Sequence, residues 1–253
     1  MLEEPYRWVE AIRNRRDYLE DQLRDASPVV ATRYRDGVLL LTTTPGPRKV
    51  FEVYNGIAFA AIGHPADIEK LRKAVIDTAH LEGFNLSAND VNLQRLVSFG
   101  IGPLVKEAFD EIFRSPFLAR VILAELDPPN GDDVFYTIDA DGSFVRAGCV
   151  AAVGSEESVS VIAEALREHA PESSLDDALE STLRAWACGR IASEGEGGED
   201  MPNAEQVTAF LGDALTDLNV EAAVLDRRMS TKSKFRLLGA DDLQSVLSAH
   251  GKA

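Results

Sequence analysis

Two dipeptides, Asp36-Gly37 and Asn55-Gly56, constrain this chain more than any other feature, because each lies between two short apolar runs. Asp-Gly and Asn-Gly supply the positive backbone angles of a two-residue hairpin turn, so each pair folds its flanking runs into antiparallel strands. The first pair joins Val29–Tyr34 to Val38–Thr42, and the second joins Lys49–Val53 to Ile57–Gly63. Pro45-Gly46-Pro47 interrupts the sheet between them. Four strands in so short a stretch predict an antiparallel meander. The unbroken apolar run Val38–Leu41 predicts a strand buried on both faces.

Helical periodicity surrounds this block. From Pro5 to about residue 24, Tyr6, Val9, Ile12, Leu19 and Leu23 recur at helical steps, with Arg16 interrupting the stripe. Pro5 suits a first helical turn, where a missing N–H costs nothing. So narrow a stripe has to be covered by its own domain or by a neighbouring subunit. Two helices are expected after the hairpins, at about 66–81 and 89–113, the second kinked at Gly100-Ile101-Gly102-Pro103. Strands resume at 118–126 and 134–139, and the turn Asp141-Gly142-Ser143 leads to two more short ones. A helix pair (155–169 and 175–192), a Gly- and Glu-rich solvated loop (194–203), a short helix (204–215), strands at 220–225 and 234–238 and a helix at 240–249 complete the order.

Strands grouped in hairpins, with helices inserted in pairs, predict an α+β fold in which two stacked antiparallel sheets are flanked by helix pairs. No repeat or linker divides the 253 residues, so one domain is expected.

Composition narrows the function classes. A net charge of −16 repels phosphate backbones, which argues against general nucleic-acid binding. No apolar run approaches the roughly 18 residues of a membrane-spanning helix. The start Met1-Leu2-Glu3-Glu4-Pro5 lacks the basic and apolar regions of a secretory signal, so a cytoplasmic location is expected. Cys149 and Cys188 have no partner spacing and read as small buried side chains. His64, His80, His169 and His250 stand singly, so no metal or cofactor is expected.

No nucleotide-binding or nucleophile-elbow motif is present. Asp77 and Glu107 read as helix-surface charges, and no carboxylate is expected in a strongly pKa-shifting apolar segment. Lys49 differs, because it opens an apolar strand directly after the rigid Pro-Gly-Pro turn. It is either a capped strand-end lysine or a site residue.

The ordered segments Ser27-Pro28-Val29-Val30-Ala31, Asp36-Gly37-Val38-Leu39, Lys49–Tyr54 and Gly56–Gly63 resemble the opening strands of bacterial proteasome α-type subunits. Leu71-Arg72, Asp77-Thr78, Asp90-Val91, Ser115-Pro116-Phe117, Asp141-Gly142-Ser143, Val220–Asp226 and Phe235-Arg236 continue the resemblance over most of residues 5–245. It implies the N-terminal-nucleophile hydrolase fold: a four-layer αββα sandwich over 27–250, an extra N-terminal helix at 5–24, and a gate segment ahead of it.

Active members of that fold use a chain-terminal Thr supported by an Asp and a Lys. The resemblance puts Ser27 at the nucleophile position, Thr43 at the Asp and Lys49 at the lysine. Thr43 brings no carboxylate, Ala26 replaces the glycine usual at the processing site, and Met1–Ala26 precede Ser27. A non-catalytic subunit is therefore expected. The alternatives are a self-compartmentalising peptidase acting through a processed Ser27, and a stand-alone ring scaffold.

The resemblance further implies a homo-oligomeric, heptameric ring partnered by proteasome β subunits and by an ATPase ring or other activator. Met1, Leu2, Glu3, Glu4 and Pro5 would form a weakly ordered axial gate. Lys49, helped by Arg48, would receive the carboxylate at an activator's C-terminus.

Overall fold

The structure is a computed structural model that describes residues 5–111, 113–126, 132–195 and 201–250. Met1–Glu4 of the expected gate lie outside the described residues, and Pro5 is the first residue of helix α1 (Pro5–Leu23). The hairpins follow as β1 (Val29–Tyr34), β2 (Gly37–Thr44), β3 (Val50–Tyr54) and β4 (Ile57–Gly63). Next come α2 (Pro65–Asn85), the short α3 (Leu93–Arg95), a π-helical segment (Leu96–Ile101) and α4 (Gly102–Asp110). Strands β5 (Ala119–Glu125), β6 (Val134–Ile138), β7 (Phe144–Ala147) and β8 (Val150–Ala152) precede α5 (Glu156–Ala165), α6 (Leu175–Glu194) and α7 (Ala204–Asp217). The chain closes with β9 (Asn219–Asp226), β10 (Phe235–Leu237) and α8 (Ala240–Ala249).

Two five-stranded antiparallel sheets result, in the orders β10-β9-β2-β1-β8 and β3-β4-β5-β6-β7. The expected four-strand meander does not form. Both hairpins form, with Val30 opposite Leu41 and Phe51 opposite Phe59, but they belong to different sheets. The first turn is Arg35-Asp36, with Gly37 already in β2 opposite Tyr34, and of the two dipeptides only Gly37 has a positive φ. Strand β2 gives its second edge to β9, Leu40 opposite Ala223, and the Pro45-Gly46-Pro47 link carries the chain to the other layer.

Side-chain alternation builds the layers. Along β2, Val38 and Leu40 face the space between the sheets while Leu39 and Leu41 face the helices, and all four are fully buried. Along β4, Ala58, Ala60 and Ile62 face inward while Ile57, Phe59 and Ala61 pack beneath α2 and α4. On the other side α5, α6, α7 and α8 cover the first sheet through a cluster that includes Trp186, Leu179, Leu183 and Leu211. The order is therefore helices, sheet, sheet, helices. Each such aliphatic or aromatic side chain contributes about 1.5–3 kcal/mol of burial, which explains why strands sandwiched twice are apolar without interruption.

The kink expected at Gly100–Pro103 is the π-helical segment. Pro103 has no N–H to continue the ladder, and the Gly102 N–H instead bonds Val97, five residues back. Helix α7 starts directly after the acidic loop on a reciprocal cap: the Gln206 N–H donates to Asn203 Oδ1 and the Asn203 N–H to Gln206 Oε1, both at 2.9 Å.

Helix α1 uses its apolar stripe only in part. Leu19 and Leu23 are buried with Phe109 and Ala140, and Ile12 packs beside them. Val9 is 57% exposed, because the helix overhangs the sandwich there. The basic residues have definite tasks. Arg15 donates to the carbonyls of Ala108 and Glu111 at the end of α4, and Arg16, which interrupts the stripe, pairs with Asp141 at 3.2 Å. Cys188 is buried as expected but Cys149 is exposed, in the loop joining β7 to β8.

Candidate functional site

At one end of the sandwich, a 640 Å³ cleft opens between the start of β1, the Pro45–Lys49 turn, α2 and α6. Three residues singled out from the sequence meet there. Ser27 arrives from α1 through a tight link in which the Ala26 N–H donates to the Leu23 carbonyl at 2.9 Å. Thr43 lies near the end of β2, fully buried, and its hydroxyl stands 3.3 Å from the Ser27 hydroxyl. Lys49 precedes β3, and its ammonium donates to the Ser27 main-chain oxygen at 3.3 Å.

The Ser27 hydroxyl oxygen accepts the indole N–H of Trp186 at 3.1 Å, and Trp186 is itself fully buried on α6. Neither partner of that hydroxyl is a base: Thr43 is a neutral hydroxyl and the indole is only a donor.

Lys49 is half-buried, and its pKa falls to about 8. Burial is the main cause; the Glu221 carboxylate opposes it, and the Arg190 guanidinium adds to it. Glu221, on β9, accepts the main-chain N–H of Lys49 at 3.0–3.1 Å and that of Val50 at 3.0 Å. Burial pushes its carboxyl upward, against those two N–H groups and the charges of Arg48 and Lys49. Glu221 interrupts the apolar run Val220-Glu221-Ala222-Ala223-Val224 and was not singled out from the sequence. A lone charge in a strand buried at its far end was the available signal.

Arg48 lines the cleft from an exposed position on the turn and acts on Glu221 through its charge. Arg190 was missed because α6 reads as an ordinary amphipathic helix. It lines the opposite wall, donates to the Asp25 carbonyl at 3.1 Å and pairs with Glu194. The cleft thus carries three cations, Arg48, Lys49 and Arg190, and two acidic residues, Asp25 and Glu69, with Glu194 and Glu221 adjoining Arg190 and Lys49. Among the described residues no cluster of His, Cys, Asp or Glu is arranged to hold a metal ion, and no helix is long and apolar enough to cross a membrane.

Back-to-back antiparallel sheets between helical layers, with a hydroxyl and a lysine at one end, define the N-terminal-nucleophile hydrolase fold. The Proteasome family profile, described as "Proteasome subunit", matches residues 24–194. Proteins called "Proteasome subunit alpha" are similar over nearly the whole chain. That of Geodermatophilus obscurus is 29% identical over 90% of this chain and 75% of its own length. That of Streptosporangium roseum is 29% identical over 90% and 80%, and that of Renibacterium salmoninarum 27% identical over 96% and 93%. The chain belongs to the proteasome subunit family, with the bacterial α-type subunits.

Proposed function

We propose that this chain is a non-catalytic α-type subunit that forms the outer ring of a cytoplasmic proteasome core particle, with proteolysis carried by β subunits in the same barrel. The carrying observation is the state of Ser27, whose hydroxyl is held by the Trp186 indole and the Thr43 hydroxyl, neither of them a base. Helix α1 supports the ring. It leaves Trp8, Val9 and Tyr18 about half exposed, apolar surface that a neighbouring subunit would cover.

In this reading the ring is heptameric, and Met1–Glu4, continued by Pro5, gate its axial opening. Glu3 and Glu4 of neighbouring copies would repel one another across that opening. Lys49 is the acceptor for the C-terminal carboxylate of an ATPase ring or other activator, and Arg48 and Arg190 raise the local positive potential.

Native mass spectrometry of the purified chain, alone and co-expressed with its β partner, tests the assembly. The expected result is a ring-sized multiple of chains that still carry the residues before Ser27. A chain beginning at Ser27 would establish self-processing and make the protein itself the hydrolase. Lys49→Ala is expected to abolish activator stimulation and leave the ring intact; stimulation equal to wild type removes Lys49 from the docking role.

A further inference from the structure

Strand β3 is the edge of its sheet, so its outward N–H groups have no strand to pair with. At its start the chain has just left a Pro-Gly-Pro turn, whose prolines supply no donors. Lys49 therefore stands just ahead of an edge strand. Its carbonyl accepts the Ala61 N–H at 3.1 Å, but Lys49 N–H and Val50 N–H both turn away from β4.

Both are taken by one side chain from the opposite sheet. Residue 221 shares the parity of Ala223 and Leu225, which face the space between the sheets, so the Glu221 side chain leaves β9 toward β3. Its two oxygens accept the Lys49 N–H at 3.1 and 3.0 Å, and one of them also accepts the Val50 N–H at 3.0 Å. Two successive main-chain N–H groups converging on one anion form a concave anion seat, occupied here by the protein's own carboxylate. A buried carboxylate is costly unless fully hydrogen-bonded, and these bonds are what it has in exchange.

We infer that Glu221 is the positioning residue of the cleft: it clamps the main chain at Lys49 across the two sheets and so aims the Lys49 amine into the cleft. The consequence for activator docking rests on the function proposed above. The clamp itself does not, and it can be read without an activator.

The alternative is that Glu221 only stabilises the sandwich and influences Lys49 through its charge. The two differ in sign. Released from the clamp, Lys49 swings into solvent and titrates as an ordinary lysine, higher than it does now. If the geometry holds and only the charge is lost, the amine loses a stabilising carboxylate while Arg190 remains, and it titrates lower.

The experiment is competitive acetylation of the assembled full-length chain with trace acetic anhydride from pH 6 to 11, with Lys49 modification read by peptide mass spectrometry. Wild type, Glu221→Ala, Glu221→Gln and Glu221→Asp are compared. Gln keeps an amide oxygen that can accept both N–H groups, as one carboxylate oxygen does in wild type, so it removes the charge and keeps the clamp, whereas Ala removes both. The clamp predicts that half-modification of Lys49 moves to higher pH in Glu221→Ala and to lower pH in Glu221→Gln, with a small upward move in Glu221→Asp, whose carboxylate is one methylene short. Lys106 on α4 serves as the reference amine. A midpoint that is unchanged or lower in Glu221→Ala overturns the inference. If Glu221→Ala does not assemble, Glu221→Asp decides by the same direction of shift. Where the clamp holds, activator stimulation should fall in Glu221→Ala and be kept in Glu221→Gln. An upward shift in Glu221→Ala with undiminished stimulation would retain the clamp and refute docking at Lys49.

Discussion

The indole N–H of Trp186 donates to the Ser27 hydroxyl at 3.1 Å, so the residue at the nucleophile position is tied to the helical core on one side and to Thr43 on the other. A hydroxyl used in this way is a packing element. Ser27→Ala should leave peptide hydrolysis by the assembled particle unchanged and lower stability by about 1 kcal/mol, because the indole N–H loses its acceptor. Chemical denaturation of the isolated chain and a peptidase assay of the particle check the two halves.

Docking through Lys49 should depend on pH. With the amine titrating at about 8, some nine-tenths of it is charged at pH 7 and about one-tenth at pH 9. Activator affinity is expected to fall as pH rises through that range, with the midpoint moved somewhat upward by the bound carboxylate, and to be flat in Lys49→Ala. The stability effect has the opposite sense. Between about 8 and the ordinary lysine value the unfolded chain binds more protons at this residue, so its contribution to folding stability rises with pH in that window. Binding titrations and denaturation curves at matched ionic strength separate the two.

Helix α1 should matter more for assembly than for the fold. Trp8 is 47% exposed and is not among the residues of the cluster that seats α1. Trp8→Glu is expected to change the stability of the dissociated chain by about 0.5 kcal/mol or less while reducing the fraction of rings in native mass spectra.

Gly154 seats the end of that helix. A Cβ there would lie 2.0 Å from the Leu23 oxygen and 2.5 Å from the Arg24 oxygen, both main-chain atoms that cannot rotate away. Gly154→Ala should therefore push the end of α1 off the sandwich, at a cost of about 1–3 kcal/mol, and reduce ring formation as well. Thermal melts and the same mass spectra distinguish it from Trp8→Glu, which affects assembly alone.

Elements whose signals are local were legible in the sequence. The apolar run Ile57–Gly63 after Asn55-Gly56 is β4 to the residue, and Ala240–Ala249 is α8. The break near Gly102-Pro103 follows from one missing N–H. The meeting of Ser27, Thr43 and Lys49 was foreseen from resemblance, since spacing alone left Lys49 open. What tertiary structure alone decided depends on partners far apart in the chain. Leu40 pairs with Ala223 because β2, apolar on both faces, carries no mark of which strand takes its second edge. Val9 looked like core and is exposed, because only packing determines where a helix overruns its domain. Glu221, 172 residues from Lys49, reads as a stray charge in a strand until the sheets stack and bring two unpaired N–H groups to its carboxylate. Sequence determined the strands, helices and turns, since these answer to neighbours within a few residues. Only stacking the two sheets determined the chemistry at Lys49, because burial, and the charges that burial brings together, are properties of the assembled layers.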